Sequence, residues 1–328
     1  MIAVTGANGL LGSFIIRKLI GQNESFVAFK RQGSDTSLLD DVAEKIVWRD
    51  VDVLDEISIC EGLEKVDQVI HAAAVVSFNP RRAAQVMDIN VKGTRHVVNA
   101  CIAQGVKRLV HVSSVAALGR QKGQRHIDEN NKWVDSKMNS VYAESKYLAE
   151  LEVFRGQEEG LSSVIVNPSV ILAPADWNKS SAQLFKYVWD ERPFYTDAYL
   201  NYVDVRDVAS VVYQLLHQSN EAGRFVVSAG NISFGDFFQQ IGKNFNRKPP
   251  MIKLGRNLLR IVARTENLRA RIIGAEPLIT RETARLAGTE FLYDNRKITK
   301  ALNFQFQPFD KTLQWCCEYY MTKNQAKN

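Results

Sequence analysis

The first half of the chain alternates two hydrophobic periods. Short runs at 2–5, 26–29, 45–48, 66–70, 108–112 and 163–166 are rich in Val, Ile and Phe and read as strands. Between them apolar residues recur every three or four positions. Leu11, Ile15 and Leu19 mark one helix within 10–20; Val86, Ile89, Val97 and Val98 mark a longer one within 82–104; a third covers 140–156. Strands alternating with helices predict an α/β fold, a doubly wound parallel sheet covered on both faces. Beyond Pro168 the alternation stops and helical segments dominate, apart from one further strand at 224–228. The predicted division is a sheet domain over 1–168 and 203–230, and a smaller, mainly helical lobe over 169–202 and 231–328.

Composition narrows the class. Of the 328 residues, 45% are hydrophobic and 24% charged, the balance of an ordinary globular enzyme rather than a disordered chain. The net charge of +6 suits anionic small ligands. With no long basic run and no zinc-knuckle spacing, it points away from nucleic acid. Cys60, Cys101, Cys316 and Cys317 form no CxxC and accompany no histidine cluster, so no metal site is expected and a cytoplasmic, reducing setting is. A strand beginning at residue 2 leaves no room for a signal peptide. No apolar run approaches the ~18–20 residues that span a bilayer.

The first chemistry-bearing motif follows the first strand: Gly6, Gly9 and Gly12 in TGANGLLG at 5–12. The first glycine permits a tight turn, the second a close backbone approach to phosphate, the third close helix–strand packing. The helix N-terminus beyond offers unpaired N–H groups to a pyrophosphate. A glycine turn between a strand and an amphipathic helix is the phosphate-binding element of a Rossmann-type sheet. At the end of the second strand stands Arg31, with no Asp or Glu between Ser25 and Ser34. An arginine there accommodates the 2′-phosphate of NADP, so NADP is the preferred cofactor. Asp35 lies near enough to reach a ribose, which keeps NAD open.

Tyr142 and Lys146 are i and i+4 on the third helix and share a face. An ammonium beside a phenol favours the phenolate and is expected to lower its pKa from ~10, making the phenol a usable acid or base. Ser113 and Ser114 follow the fifth strand, at the carboxyl edge where open α/β sheets bind ligands. A YxxxK pair alone is commonly a surface pair; combined with strand-end serines and the glycine turn it is far more specific.

With these residues in view, the chain resembles an extended short-chain dehydrogenase/reductase of the NAD-dependent epimerase/dehydratase family, nearest the dihydroflavonol reductase and 3β-hydroxysteroid dehydrogenase branches. The resemblance runs through TGANGLLG at 5–12, DVLD at 52–55, VIHAAAVVSF at 69–78, NVKGT at 90–94 and HVSSVAALG at 111–119. It continues through YAESK at 142–146, NPSVILAP at 167–174, YVDVRDVA at 202–209 and LYDNRKITKALNFQFQP at 292–308. The resemblance implies that Tyr142 is the catalytic acid/base. Lys146 would lower its pKa and hold the nicotinamide ribose, and Ser114 would orient the reacting oxygen beside Ser113. Asn90 resembles the asparagine beside the proton relay, with a structural role equally open. Asn8, Leu10 and Leu11 belong with the glycine turn in the cofactor site. Asp52 and Val53 resemble adenine contacts; Ala72, Ala73 and Ala74 the small residues under the cofactor; Asn167, Pro168 and Val170 the segment beside the nicotinamide. Where the family has glycine before the last proline of NPSVILAP, this chain has Ala173, which puts the substrate mouth in doubt.

The expected function is reversible reduction of a ketone or aldehyde on a small to medium apolar metabolite. Two rivals remain: a nucleotide-sugar epimerase or dehydratase, and a non-catalytic cofactor-binding protein. Between Leu161 and Lys179 no Arg or Lys is present to hold a second diphosphate, and Phe185, Tyr187, Trp189, Phe194, Tyr195 and Tyr199 follow. These favour an apolar pocket, with Arg192 and Arg206 the remaining phosphate candidates. The resemblance implies a homodimer through the helices at 82–104 and 140–156. Lys253, Arg256, Arg260 and Arg264, with Leu254, Leu258, Ile261 and Leu268 facing elsewhere, predict one helix that is basic on one side. It reads first as a solvated lobe helix, and second as a weak contact with an anionic membrane surface.

Overall fold

The computed structural model describes residues 1–121, 123–136, 138–177, 181–218, 221–255 and 290–325. The apolar runs become strands β1 (Ile2–Thr5), β2 (Phe26–Lys30), β3 (Trp48–Asp50), β4 (Gln68–His71) and β5 (Arg108–Val112). After the short β6 (His126–Ile127) come β7 (Ser163–Pro168), β8 (Val170–Leu172), β9 (Phe194–Thr196), β10 (Tyr199–Asp204) and β11 (Gly223–Val227). β12 (Gly230–Ser233), β13 (Ile252–Leu254) and β14 (Leu292–Tyr293) complete them. Seven form one sheet in the order β11-β7-β5-β4-β1-β2-β3, every pairing parallel. Chain order reverses at β1, with β2 on one side and β4 on the other. Such a reversal opens a crevice at the strands' carboxyl ends.

The helices are α1 (Leu10–Gly21), α2 (Glu56–Gly62), α3 (Ala83–Met87), α4 (Gly93–Ala103), α5 (Val141–Glu158), α6 (Ala182–Trp189) and α7 (Val205–His217). α8 (Phe234–Phe245), α9 (Arg296–Leu302) and α10 (Phe309–Gln325) follow. Side-chain caps start several of them: Asp55 accepts from Ile57 N and Ser58 N, Ser140 from Ala143 N, Asp204 from Arg206 N and Ser233 from Asp236 N. One face of the sheet is covered by a core holding Ile15, Ile16 and Leu19 of α1 with Val208, Val212 and Leu215 of α7. The other is covered by Ile59 of α2, Val97, Val98 and Cys101 of α4 and Val153 of α5. A third core joins α6, α8 and α10 in the small lobe.

The structure departs from expectation in five places. The third strand lies at 48–50 rather than 45–48, after a 3-10 segment at Ser37–Lys45 in which Leu39 alone is buried. The expected helix at 82–104 is interrupted by a π turn, Asp88–Lys92, between α3 and α4. The lobe contains strands as well as helices: β8-β10-β12 form one sheet and β9-β13 another. α9 does not stay with the lobe; it packs on β11 and places Ile298, fully buried, in the core of the large sheet. Lys253 and Leu254, expected to begin a basic helix, lie in β13, where Lys253 Nζ pairs with Asp197 at 2.9 Å. The rest of that expected helix falls outside the described residues. Among the described residues, no helix is long and apolar enough to cross a membrane.

Candidate active site

β1 ends in the glycine turn. Gly6 has φ of +68°, and a Cβ there would stand 2.6 Å from Ala73 N. At Gly12 a Cβ would stand 2.0 Å from Gly6 O. Glycine is required at both, and Ala73 is the neighbour against which the turn closes. Gly9, the N-cap of α1, has no side chain to offer the first turn, so amides of that turn remain open to an anion. Asn8 Nδ2 donates to Asp35 O at 2.9 Å, tying the turn to the loop after β2. Leu10 and Leu11 are partly buried, Leu11 against the sheet core.

A cleft of about 580 Å³ continues from there, lined by Arg31, Gln32, Gly33, Ser34, Asp50, Val51 and Asp52. Arg31 is exposed at it, while Asp50 is engaged by Lys30 Nζ at 2.6 Å. Asp52 Oδ1 accepts from Leu54 N at 3.0 Å. Val53 is buried under α4, where Gly93 lacks the Cβ that would meet it at 2.9 Å. At the end of β4, Ala72 and Ala73 are partly buried and Ala74 is exposed. The glycine cradle, the open helix end and this cleft fit a dinucleotide.

The reacting end is built from β5, β7 and α5. Ser140 caps α5 and sets its first turn at Tyr142. The Tyr142 phenol faces the Ser114 hydroxyl and meets the edge of Phe78 with ring centroids 5.9 Å apart. One turn on, buried Lys146 donates from Nζ to Val112 O, the last carbonyl of β5, at 2.8 Å. Burial lowers the Lys146 pKa to about 8, against a raising influence from Glu150. The Tyr142 pKa is raised, not lowered as expected: burial penalises the phenolate more than the Ser114 hydrogen bond favours it.

Asn90 sits at the centre of the π turn. Its Oδ1 accepts from Val75 N at 2.8 Å, and its Nδ2 donates to Val75 O at 3.0 Å and to Ser145 Oγ at 2.9 Å. Ser145 Oγ donates to Tyr142 O at 2.8 Å. The side chain thus fastens the loop after β4 to the helix bearing Tyr142, and the irregular turn is what aims it there.

Sequence reasoning missed Glu150, one turn beyond Lys146 and fully buried. Its Oε1 accepts from Ser113 Oγ at 2.6 Å and from Asn167 Nδ2 at 2.5 Å, and its Oε2 from Arg224 Nη1 at 3.1 Å. Asn167 Nδ2 also donates to Ser114 O at 2.9 Å. Ser113 therefore faces the carboxylate, and Ser114 faces the phenol. Asn167 Oδ1 is buried with no partner among the described residues. The signal available beforehand was spacing: Tyr142, Lys146 and Glu150 form an i, i+4, i+8 stripe.

Beyond β7, Pro168 is buried and Val170 exposed, in register with Tyr202. At the altered position, Ala173 O accepts from the Tyr320 hydroxyl at 3.4 Å, and Tyr320 also takes Ala175 N at 3.1 Å; α10 holds this turn. The lobe aromatics divide. Phe185, Tyr187 and Trp189 pack against Phe237, Phe238 and Phe245 as lobe core, and Phe194 and Tyr199 are exposed. Of the two arginine candidates Arg206 is engaged: its Nη2 holds Asp204 at 2.5 Å with its guanidinium 3.9 Å from the Trp315 ring centroid, whereas Arg192 is exposed, 3.8 Å from an Asp190 that Lys186 already holds. Among the described residues no group of His, Cys, Asp and Glu could hold a metal ion.

The profile of the NAD dependent epimerase/dehydratase family matches residues 2–229. Sterol demethylase protein B of Methylococcus capsulatus is 28% identical over 265 residues, 79% of each chain. A putative dihydroflavonol 4-reductase of Synechocystis sp. is 25% identical over 335 residues, 99% of this chain and 95% of the relative. Among solved structures, gox2253 superposes with a TM-score of 0.84 at 29% identity over 98% of both chains. UDP-glucose 4-epimerase from Thermotoga maritima shares the fold at 16% identity, with a TM-score of 0.79 over 98% of this chain and 99% of that one. The chain belongs to the NAD-dependent epimerase/dehydratase family, an enzyme family whose members here include reductases and dehydrogenases as well as epimerases and dehydratases.

Proposed function

We propose that this enzyme is a nicotinamide-dependent carbonyl reductase, acting reversibly on an apolar ketone or aldehyde of small to medium size. The observation that carries the reading is the convergence of Ser114, Tyr142 and buried Lys146 at the carboxyl end of β5, with Lys146 one helical turn beyond the phenol and its Nζ held by Val112 O. When bound, the cofactor supplies the hydride. The glycine turn and the α1 N-terminus would hold its pyrophosphate, Asp52 and Ala72 to Ala74 would lie along it, and Asn167 Oδ1, buried and unpartnered among the described residues, would be open to accept a hydrogen bond from it. Ser114 orients the carbonyl oxygen. Tyr142 gives its phenolic proton to the oxygen as negative charge develops there, and a raised phenol pKa keeps that proton in place near neutral pH. Lys146 supplies fixed positive charge beneath the site.

Exposed Arg31 supports a preference for NADPH over NADH through its fit to a 2′-phosphate. The engagement of Arg206 by Asp204, and the lack of any Arg or Lys between Leu161 and Lys179, argue against a nucleotide-sugar diphosphate. Four free cysteines support a reducing, cytoplasmic setting, and the α4–α5 face supports a two-fold homodimer. The test is a panel of apolar ketones and aldehydes followed by NADPH and NADH fluorescence, beside calorimetry with UDP- and dTDP-sugars. Turnover of a carbonyl that drops at least ~100-fold in Tyr142→Phe, with folding and cofactor binding kept, supports the reading. Micromolar binding of a nucleotide sugar with no carbonyl turnover overturns it.

A further inference from the structure

Resting on that reading, we propose that Glu150, with Arg224 as its counter-cation, is a positioning residue that keeps Lys146 an ammonium and fixes the strand ends carrying Ser114 and Asn167. Glu150 is fully buried on α5, and three donors converge on its two oxygens: Ser113, Asn167 and Arg224. That is the coordination of an ionised carboxylate, since a protonated acid would itself have to donate. A buried ion pair is weak grounds for stability, because an apolar packing of the same volume commonly serves as well. Its presence beside a reacting lysine is better read as an electrostatic device.

The charges facing Lys146 make the need plain. β5 and β4 present His111 and His71, both buried and held neutral by burial, so neither can neutralise an ammonium. Tyr142 precedes it by one turn. Glu150 follows it by one turn and is the carboxylate that favours its charged form. Without that carboxylate a desolvated ammonium sheds its proton more readily. Burial raises the Glu150 pKa, and the Ser113, Arg224 and Asn167 donors act against that rise by favouring the carboxylate. Arg224 is itself fixed, since its Nε donates to Glu129 O at 2.8 Å and its Nη2 to Asn131 O at 2.5 Å. One line therefore runs from the edge strand β11 through Arg224, Glu150 and Asn167 to the backbone of Ser114, whose hydroxyl meets Tyr142.

The test titrates NADPH by fluorescence from pH 6 to 9.5 and needs no substrate. Wild-type affinity is expected to weaken above about pH 8, as Lys146 loses its proton. Glu150→Gln keeps an oxygen for Ser113 and Asn167 but removes the charge, so its limb moves to lower pH. At pH 8 its affinity falls about fivefold below wild type, rising towards about tenfold at pH 9.5, the effect of a limb displaced by about one unit; at pH 6 the two agree within about twofold. Curves for Glu150→Gln and wild type that run parallel at every pH overturn the proposal. If Glu150→Gln does not fold by circular dichroism, Arg224→Gln carries the same test in the same direction; failure of both to fold assigns the pair to structure alone and also overturns it. The two ideas fail separately. A wild-type curve without a limb, or normal turnover in Tyr142→Phe, defeats the reductase reading, whereas a wild-type limb unmoved by Glu150→Gln defeats only this inference.

Discussion

At Lys146 two opposing effects set the working pH. Burial pushes the ammonium down to about 8, and the carboxylate one turn on resists. The sign follows: below about pH 8 the group is charged, and above it the charge is lost. Reductive kcat/KM is therefore expected to be flat from pH 6 to about 8 and to fall at higher pH, read from initial rates in overlapping buffers. A profile still level at pH 9.5 contradicts the assignment. Cofactor choice also rests on one residue. Arg31 stands exposed at the cleft with Asp50 and Asp52, and Asp50 is already engaged by Lys30. Arg31→Ala is expected to weaken NADPH binding about tenfold, the order of one charge-assisted hydrogen bond, while NADH changes little. Equal loss for both cofactors would remove the 2′-phosphate from the argument. Arg31 and Lys146 stand out by their spacing; Glu150 completes the same helical stripe as Lys146, but a glutamate on a helix is ordinarily solvated and only the fold buries this one.

On the scale of elements, the glycine turn and the π turn carry most of the site. α1 contains two glycines with opposite surroundings. A Cβ at Gly12 would meet Gly6 O at 2.0 Å and Ala7 Cα at 2.8 Å, whereas one at Gly21 would meet nothing within 4 Å. Gly12→Ala must push the turn off the helix, which is expected to destabilise the fold by about 1–3 kcal/mol and weaken cofactor binding at least ~10-fold. Gly21→Ala should leave both unchanged or raise stability by up to ~1 kcal/mol. Thermal melts and fluorescence titrations of the two variants decide it, and equal behaviour would sink the cradle argument. The π turn was not legible. Its sequence, Asp88–Lys92, has helical spacing, and the extra residue in the turn answers to contacts Asn90 makes with Val75 and Ser145, far away in the chain.

For the whole molecule, the outward face of α4 and α5 is the surface proposed for assembly. Arg95 and Arg155 both reach Glu152, at 2.7 and 3.0 Å, while Leu151 stands 43% exposed beside them. An apolar side chain among paired charges suits an isologous two-fold contact. A dimer mass by light scattering at micromolar concentration is expected, and Leu151→Glu should shift it towards monomer; a wild-type monomer refutes the contact. The lobe was the least legible region. Its strands are two to four residues long apart from β10, and β8, β10 and β12 pair residues 28 to 34 positions apart, which no local period reveals.

The sequence by itself determined the order of strands and helices in the first half, the glycine turn, and the shared face of Tyr142 and Lys146. Each depends on neighbours within a few positions, where period and backbone sterics act directly. The tertiary structure alone decided what surrounds those groups. It buries Tyr142 enough to raise its pKa rather than lower it, commits Lys146 to Val112 O, and separates Ser113, facing Glu150, from Ser114, facing the phenol. It also brings Arg224 from 74 positions away to Glu150. Desolvation and long-range charge depend on what the fold stacks above and below a residue, and that information is not local to any stretch of the chain.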